Sequence, residues 1–220
     1  DEDELCEKIK NVSVLGIRSK TTVTAKVMAN ANRLMTIGAF CIGTNQIDLK
    51  EATKRGIAVF NAPYSNTRSV VELVIGEIIM LIRNLPDKSA KMHEGKWDKS
   101  ASGSFEIRGK KLGIVGYGNI GSQLSVVAEA IGLNVFYYDR EERLAMGNAT
   151  KCKSLKELFE QVDIISLHVD GRKENANIIG EKEFDMMKKG VIFLNLSRGH
   201  IVDIDALKKN IENGKVAGCA

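Results

Sequence analysis

From residue 111 to the end of the chain, short apolar runs alternate with amphipathic helical patterns. The runs at 111–116, 134–139, 162–169 and 191–196 are rich in Val, Ile, Leu and aromatic residues. Between the first two runs, apolar residues recur at spacings of three and four, as on one face of a helix. Apolar strands joined by such helices are typical of a parallel sheet that is covered on both faces. We therefore predict a doubly wound α/β domain.

The residues before this domain show a looser pattern of the same kind. Strand-like stretches at 12–17, 33–37 and 58–60 predict a second, smaller α/β unit. A helical pattern at 67–85 is apolar on most faces, and we expect Pro86 to end that helix. Such a helix is typical of a boundary between domains or subunits. We place one domain at 1–65 and the other, which includes this helix, at 66–220.

Composition and charge exclude several functions. The formal net charge is +4 and the lysines are mixed with acidic residues, so we expect no nucleic-acid partner. The longest apolar stretch, at 70–82, contains two glutamates and is shorter than the roughly 20 residues of a membrane span, so we expect no membrane association. Widely spaced cysteines without metal-ligand spacing predict no metal site, no disulfide and a cytoplasmic location; these are Cys6, Cys41, Cys152 and Cys219.

The most specific motif is the glycine turn, residues 116–121 (GYGNIG), which lies between a predicted strand and a predicted helix. In this setting GxGxxG is the dinucleotide-binding fingerprint. Gly116 permits a tight turn, Gly118 lets a pyrophosphate approach the backbone, and Gly121 lets the helix pack close to the strand. The helix N-terminus then offers free N–H groups and the positive end of its dipole to the phosphates. We predict a nucleotide-binding Rossmann domain.

Asp139 ends the second strand of this unit, 23 residues after Gly116. A carboxylate there accepts hydrogen bonds from both hydroxyls of the adenine ribose, and it repels a 2′-phosphate. We therefore predict NAD rather than NADP as the cofactor, although Arg140 beside it weakens this preference.

A second group of polar residues, Ser197 and Arg198, follows directly on a later strand of the same sheet. Ligands of open α/β sheets bind at the carboxyl ends of the strands, so we expect Arg198 to point into the cofactor crevice. Its guanidinium is suited to a planar carboxylate because it binds both oxygens. The alternative is a surface arginine paired with Asp203.

Three long segments resemble the D-isomer-specific 2-hydroxyacid dehydrogenases: NAPYSNTRSVVELVIGEIIMLIRNLP (61–86), GSFEIRGKKLGIVGYGNIGSQL (103–124) and NLSRGHIVDIDAL (195–207). The segment IGAFCIGTNQIDL (37–49) is similar to the members that act on 3-phosphoglycerate. The resemblance implies a flavodoxin-like substrate domain, partly missing, in addition to the Rossmann domain. It also implies NAD-dependent oxidation of 3-phospho-D-glycerate to 3-phosphohydroxypyruvate, the first step of the phosphorylated route to serine.

The resemblance also assigns roles to single residues. Arg198 would hold the substrate carboxylate and polarise the reacting carbonyl. Further cofactor contacts are implied at the pyrophosphate, beside a strand end and along the nicotinamide, by Asn119, Ile120, His168, Leu196 and Ser197. Positions that hold the charged groups of the substrate are matched by Arg18, Ser19 and Asn66.

The resemblance further implies a truncated chain and a homo-oligomer. The family's acid–base histidine and its glutamate partner match positions beyond residue 220, so we expect the chain to bind NAD without turnover. The helix at 67–85 and the segment around Trp97 match the family's dimer surface, so we expect a homodimer or homotetramer. Residues 170–172 (DGR) depart from the family, which usually has a proline there.

Two alternatives remain open from the sequence. In the first, the chain belongs to a dehydrogenase whose substrate is another D-2-hydroxy acid, such as lactate, glycerate or the reduced form of 2-oxoglutarate. In the second, the chain is a non-catalytic module that senses NADH, as transcriptional corepressors of this family do.

Overall fold

The computed structural model describes all 220 residues, which form two compact units, Asp1–Asn66 and Thr67–Ala220. The smaller unit has a sheet of three parallel strands that are neighbours in chain order. Its core includes the fully buried Ile9, Val27, Met28 and Ile37. The flavodoxin-like assignment of this unit stays a prediction. Its elements are α1 (Glu2–Lys8), β1 (Val14–Ile17), α2 (Ala25–Ala29), β2 (Thr36–Ala39), α3 (Leu49–Lys54) and β3 (Ala58–Asn61).

The larger unit is built on a six-stranded sheet in which all neighbouring strands are parallel. Its elements are α4 (Thr67–Ile82), α5 (Leu85–His93), β4 (Lys111–Val115), α6 (Asn119–Ala130), β5 (Asn134–Tyr138), β6 (Thr150–Lys151), α7 (Leu155–Phe159), β7 (Ile164–Leu167), α8 (Glu181–Met186), β8 (Val191–Asn195), α9 (Ile204–Glu212) and β9 (Val216–Cys219).

The strand order of this sheet, β6-β5-β4-β7-β8-β9, is the Rossmann order. One apolar cluster packs α4 and α6 against the sheet, and a second cluster holds buried residues of α7, α8 and α9. The predicted doubly wound fold is confirmed. The order reverses between β4 and β7, and the crevice of such sheets lies at the carboxyl ends of the strands on either side of this reversal.

The helix predicted at 67–85 is present as α4, but its predicted end is wrong, because a second helix begins at Leu85 and contains Pro86. Helix α4 ends at Ile82, and α5 begins at Leu85 after Asn84, whose φ of 52° lies in the left-handed region. Pro86 lies in the first turn of α5, where its missing N–H leaves no helical hydrogen bond unmade. The proline therefore starts a helix instead of ending one. No helix of the structure is both long enough and apolar enough to cross a membrane.

Candidate functional site

At two positions of the glycine turn, backbone conformation or close contacts within the chain require glycine. Gly116 has a φ of 92°, and a Cβ on it would lie 2.6 Å from the backbone oxygen of His168. A Cβ on Gly121 would lie 2.2 Å from the backbone oxygen of Gly116. Both distances are well below van der Waals contact, so any side chain here would push apart β4, β7 and the start of α6.

Gly118 is different, because nothing in the chain requires it to be glycine. It is the N-cap residue of α6, with an ordinary φ of −80° and no side-chain cap. A Cβ built on it would meet no atom within 4 Å. The first N–H groups of this 12-residue helix therefore have no capping side chain, and the space above Gly118 is free for an anionic group. This arrangement fits the phosphates of a dinucleotide.

A cavity of about 660 Å³ opens at the carboxyl ends of β4, β5 and β7, at the point where the strand order reverses. We call it the carboxyl-end cavity. Four of the predicted site residues line it: Gly116, Gly118, Asp139 and His168. The other lining residues are Val115, Tyr138, Arg140, Glu141, Arg143, Leu155, Val169, Asp170, Arg172, Glu174, Asn175 and Ile178.

Asp139 is held in the wall of this cavity by two backbone amides. Its Oδ2 accepts from the N–H of Tyr117 at 2.6 Å, and its Oδ1 accepts from the N–H of Glu141 at 2.9 Å. These bonds fix the carboxylate, and each oxygen retains a lone pair for a further donor such as a ribose hydroxyl. No arginine forms an ion pair with it, so its negative charge is not neutralised by a side chain.

His168 lies at the end of β7 with one ring nitrogen unpartnered. Its Nε2 lies 2.8 Å from Oγ of the fully buried Ser166. Its Nδ1 is buried and has no hydrogen-bond partner. Burial lowers the pKa of the imidazole from its ordinary 6.5 to about 4, so the ring is neutral at pH 7. An unpartnered nitrogen of this kind beside the cavity is consistent with a polar ligand.

We expect His168 to make the larger unit less stable in acid. The unfolded chain binds a proton near pH 6.5 and the folded chain only near pH 4, so the free energy of unfolding falls as the pH is lowered between these values. The loss should approach about 3 kcal/mol at the acid end. Urea unfolding of wild type and His168→Gln from pH 7 to pH 4 measures it. Equal pH slopes in the two proteins would contradict the expectation.

Arg198 follows β8 and presents an exposed guanidinium at the same edge of the sheet. Its Nη1 donates to the backbone oxygen of Ser197 at 2.8 Å, and its own backbone oxygen accepts from the side chain of Asn195 at 2.9 Å. Asp203 does not pair with it, because the Asp203 carboxylate caps α9. The alternative of an Arg198–Asp203 pair is therefore wrong, and the guanidinium is free of carboxylate partners.

Arg198 lies beside the carboxyl-end cavity without lining it. A Cβ on Gly171 would lie 3.0 Å from Cγ of Arg198, and both neighbours of Gly171 line the cavity. The structure therefore places Arg198 next to the wall formed by residues 170–172, the segment that departs from the resembling family.

The remaining predicted residues lie outside the walls of this cavity. Asn119 and Ile120 form the first turn of α6, and the side chains of Ile120 and Leu196 pack against the apolar core. Ser197 donates to Oδ1 of Asn195 at 2.6 Å through its hydroxyl. In the smaller unit, exposed residues follow the carboxyl ends of β1 and β3; these are Arg18, Ser19 and Asn66.

Sequence reasoning missed most of the arginines in the wall of the cavity, where three arginines lie among four carboxylates. Arg140 and Arg143 come from the loop after β5, and Arg172 comes from the loop after β7. Arg143 pairs with Glu141, Arg172 pairs with Asp170, and Arg140 has no carboxylate partner. The position of Arg140, two residues after the end of β5, is a signal that could have identified it. The conformations of both loops could not be read from the sequence.

Comparisons with known proteins agree with this geometry. Residues 75–220 match the family model described as D-isomer specific 2-hydroxyacid dehydrogenase, NAD binding domain. The D-3-phosphoglycerate dehydrogenase of Haemophilus influenzae is 52% identical over 220 residues, which are 100% of this chain and 54% of that protein. The enzymes of the same name from Dictyostelium discoideum and Escherichia coli K12 are 53% and 50% identical, with the same coverage.

Among solved structures, the D-lactate dehydrogenase of Aquifex aeolicus, complexed with NAD and lactic acid, has a TM-score of 0.88 at 28% identity, over 97% of this chain and 65% of that one. A D-2-hydroxyisocaproate dehydrogenase has a TM-score of 0.87 at 28% identity, over 100% of this chain and 67% of that one. The chain spans about half the length of the curated relatives it matches. The glycine turn, the strand order and the match over two thirds of its residues lead to one assignment: the chain belongs to the family of D-isomer specific 2-hydroxyacid dehydrogenases, and its larger unit contains the family's NAD-binding domain.

Proposed function

We propose that this chain is part of an NAD-dependent dehydrogenase that oxidises 3-phospho-D-glycerate to 3-phosphohydroxypyruvate. The observation that carries the proposal is the open space above Gly118, at the point where the strand order reverses. It supports a bound dinucleotide, since no contact within the chain requires glycine there. The choice of substrate is supported by relatives of about 50% identity that are named for this activity.

Each residue in the proposal has a chemical task. NAD, when bound, supplies a nicotinamide ring that accepts a hydride. Gly116 permits the tight turn, Gly118 leaves room for the phosphates of NAD, and Asp139 accepts from the hydroxyls of its adenine ribose. Arg198 binds the substrate carboxylate with its free guanidinium and draws electron density from the oxygen on C2, which stabilises the charge that develops there.

The substrate's phosphate is a second anion and needs its own donors. In the smaller unit, the guanidinium of Arg18, the hydroxyl of Ser19 and the amide of Asn66 are exposed and free to serve in this way. The proton of the C2 hydroxyl needs a general base, which we propose is a histidine beyond residue 220.

The full-length protein tests the proposed substrate. We expect kcat/KM, followed as NADH formation, to be at least about a hundredfold higher with 3-phosphoglycerate than with D-lactate, because the phosphate adds charged hydrogen bonds. Equal values for the two acids would favour another D-2-hydroxy acid. Tight NADH binding without turnover of any of these acids would favour a sensing module.

Replacing Asp139 with alanine should shift cofactor preference towards NADP. The variant loses the carboxylate that repels a 2′-phosphate, and Arg140 remains beside the site without a carboxylate partner. We expect the ratio of kcat/KM for NAD to that for NADP to fall at least about tenfold. Asp139→Asn is the matched control that removes the charge and keeps the size. An unchanged ratio in both variants would show that this carboxylate does not select the cofactor.

We also propose that the protein is a cytoplasmic homodimer or homotetramer. Helix α4 buries Val71, Val74 and Ile78 on one face, while Leu73 is 54% exposed on another and Trp97, in the segment after α5, is 77% exposed. All four cysteines are free thiols, which suits a reducing compartment. Light scattering of the full-length protein at micromolar concentration should give at least twice the chain mass. A monomer would contradict the proposal, and Leu73→Arg should shift an oligomer towards monomer.

A further inference from the structure

One wall of the carboxyl-end cavity is a long loop between β5 and β6. Residues 139–149, which we call loop 139–149, contain no helix or strand. Four consecutive or nearly consecutive residues of this loop line the cavity, namely Asp139, Arg140, Glu141 and Arg143. A loop of this length without secondary structure needs side-chain anchors if it is to keep one conformation.

Two tyrosines supply anchors from beneath the loop. The hydroxyl of Tyr137, in β5, donates to the backbone oxygen of Arg143 at 2.8 Å. The hydroxyl of Tyr117, in the glycine turn, accepts from the backbone N–H of Met146 at 3.2 Å. The two rings are stacked, with centroids 3.7 Å apart and planes inclined by 21°. Both side chains are almost fully buried, so water does not compete for these bonds.

Tyr117 also connects the loop to the phosphate-binding region. Its hydroxyl lies 2.6 Å from Oγ of Ser125, a fully buried residue of α6. Its backbone N–H donates to Asp139 at 2.6 Å. A single buried residue therefore contacts the start of loop 139–149, its middle, and the helix whose N-terminus faces the cavity.

The far end of the loop is held from the same helix. The carboxylate of Glu129, near the end of α6, accepts from the backbone N–H of Asn148 at 2.9 and 3.1 Å. Gly147 has a φ of 63°, and a Cβ on it would lie 2.3 Å from Oε2 of Glu129. Both ends of the loop are thus fixed, while Leu144 in its middle is 90% exposed. The anchors hold the backbone of the loop, because the exposed Leu144 side chain contributes little apolar burial.

Burial raises the pKa of Tyr137, so its hydroxyl is protonated at neutral pH and can donate to the backbone oxygen of Arg143.

We propose that Tyr117 and Tyr137 are positioning residues that hold loop 139–149 as a preformed wall for the adenosine half of the cofactor. The inference rests on the proposed function, because it assumes that a dinucleotide occupies the carboxyl-end cavity. Neither hydroxyl lines the cavity. They act by keeping the loop in its bound shape before the ligand arrives, which lowers the entropy cost of binding.

The test is Tyr137→Phe, which removes one hydroxyl and keeps the stacked ring. Because loss of one buried hydrogen bond weakens an anchor without removing the wall, we expect the Kd for NADH to rise at least about threefold. The Kd for ADP-ribose, which lacks nicotinamide, should rise by the same factor. Amide hydrogen exchange should become faster in residues 140–149, and the KM for 3-phosphoglycerate in the full-length protein should stay unchanged. Tyr117→Phe is a second variant with the same expected results.

Two controls separate positioning from general effects. Tyr64→Phe removes a hydroxyl from a tyrosine of the smaller unit that is 71% exposed, and it should leave both dissociation constants unchanged. Asn210→Ala removes a buried hydrogen bond within α9, whose residues do not line the cavity. It should lower the melting temperature and leave NADH binding unchanged.

The outcomes separate this inference from the proposed function. If wild type binds NADH and both tyrosine variants bind it with less than a threefold change in Kd, the positioning role is wrong and the proposed function is unaffected. A rise for NADH without a rise for ADP-ribose would also overturn it, because the loop would then not serve the adenosine half. If wild type binds neither ligand, the proposed function fails and this inference fails with it.

Discussion

Replacing Arg198 with alanine in the full-length protein should lower kcat/KM for 3-phosphoglycerate by about a thousandfold or more. The guanidinium has no carboxylate partner in the chain and donates only to the backbone oxygen of Ser197. Its removal therefore breaks no ion pair and should leave the free energy of unfolding almost unchanged. The loss should instead come from the missing charge that holds the substrate carboxylate and polarises the C2 oxygen. Steady-state kinetics and NADH titration measure the two effects separately.

Arg198→Lys is the matched control for this prediction. It keeps the positive charge and loses the planar fork that binds two carboxylate oxygens, so we expect an intermediate loss of activity. The affinity for NADH should stay nearly as in wild type in both variants. A tenfold loss of NADH affinity would show that Arg198 serves the cofactor and would contradict its assignment to the substrate.

Replacing Gly118 with alanine should weaken NADH binding at least about tenfold and leave the fold intact. The new Cβ would meet no protein atom within 4 Å, and φ at this position is −80°, so we expect the free energy of unfolding to change by less than about 1 kcal/mol. The space that it fills is the space through which the proposed pyrophosphate reaches the backbone. Isothermal titration with NADH and urea unfolding of the same samples check both statements.

Gly121→Ala is the informative counterpart. Its Cβ would lie 2.2 Å from the backbone oxygen of Gly116, so α6 must move away from β4. We expect stability to fall by about 3 kcal/mol or more and NADH binding to be lost together with it. These results would show that Gly118 is required for ligand binding, whereas Gly121 is required for the packing of α6 close to β4. Wild-type NADH affinity in Gly118→Ala would remove the main support for the proposed cofactor site.

The sequence was sufficient to predict an element of the fold wherever its local pattern is compatible with only one structure. Apolar runs separated by amphipathic helices predicted the parallel sheet, because strands that are apolar throughout must be covered on both faces. The GxGxxG motif predicted a turn between a strand and a helix, and these are β4 and α6. The predicted end of the helix at 67–85 was wrong because Pro86 is compatible with both the end and the first turn of a helix. Asn84, which separates α4 from α5, is a signal that could have marked the end of α4, because Asn adopts the left-handed conformation more readily than other residues with a side chain.

The sequence by itself determined the doubly wound fold, the glycine turn and the strand-end positions of Asp139, His168 and Arg198, since these depend on periodicity and on spacing along the chain. Only the tertiary structure decided that Gly118 faces empty space and that Arg198 has no ion-pair partner. It also decided that Tyr137 and Tyr117 contact loop 139–149 at residues that lie six and twenty-nine positions further along the chain. Such contacts depend on where a loop returns in space, and the local energies that produce sequence patterns carry no information about that.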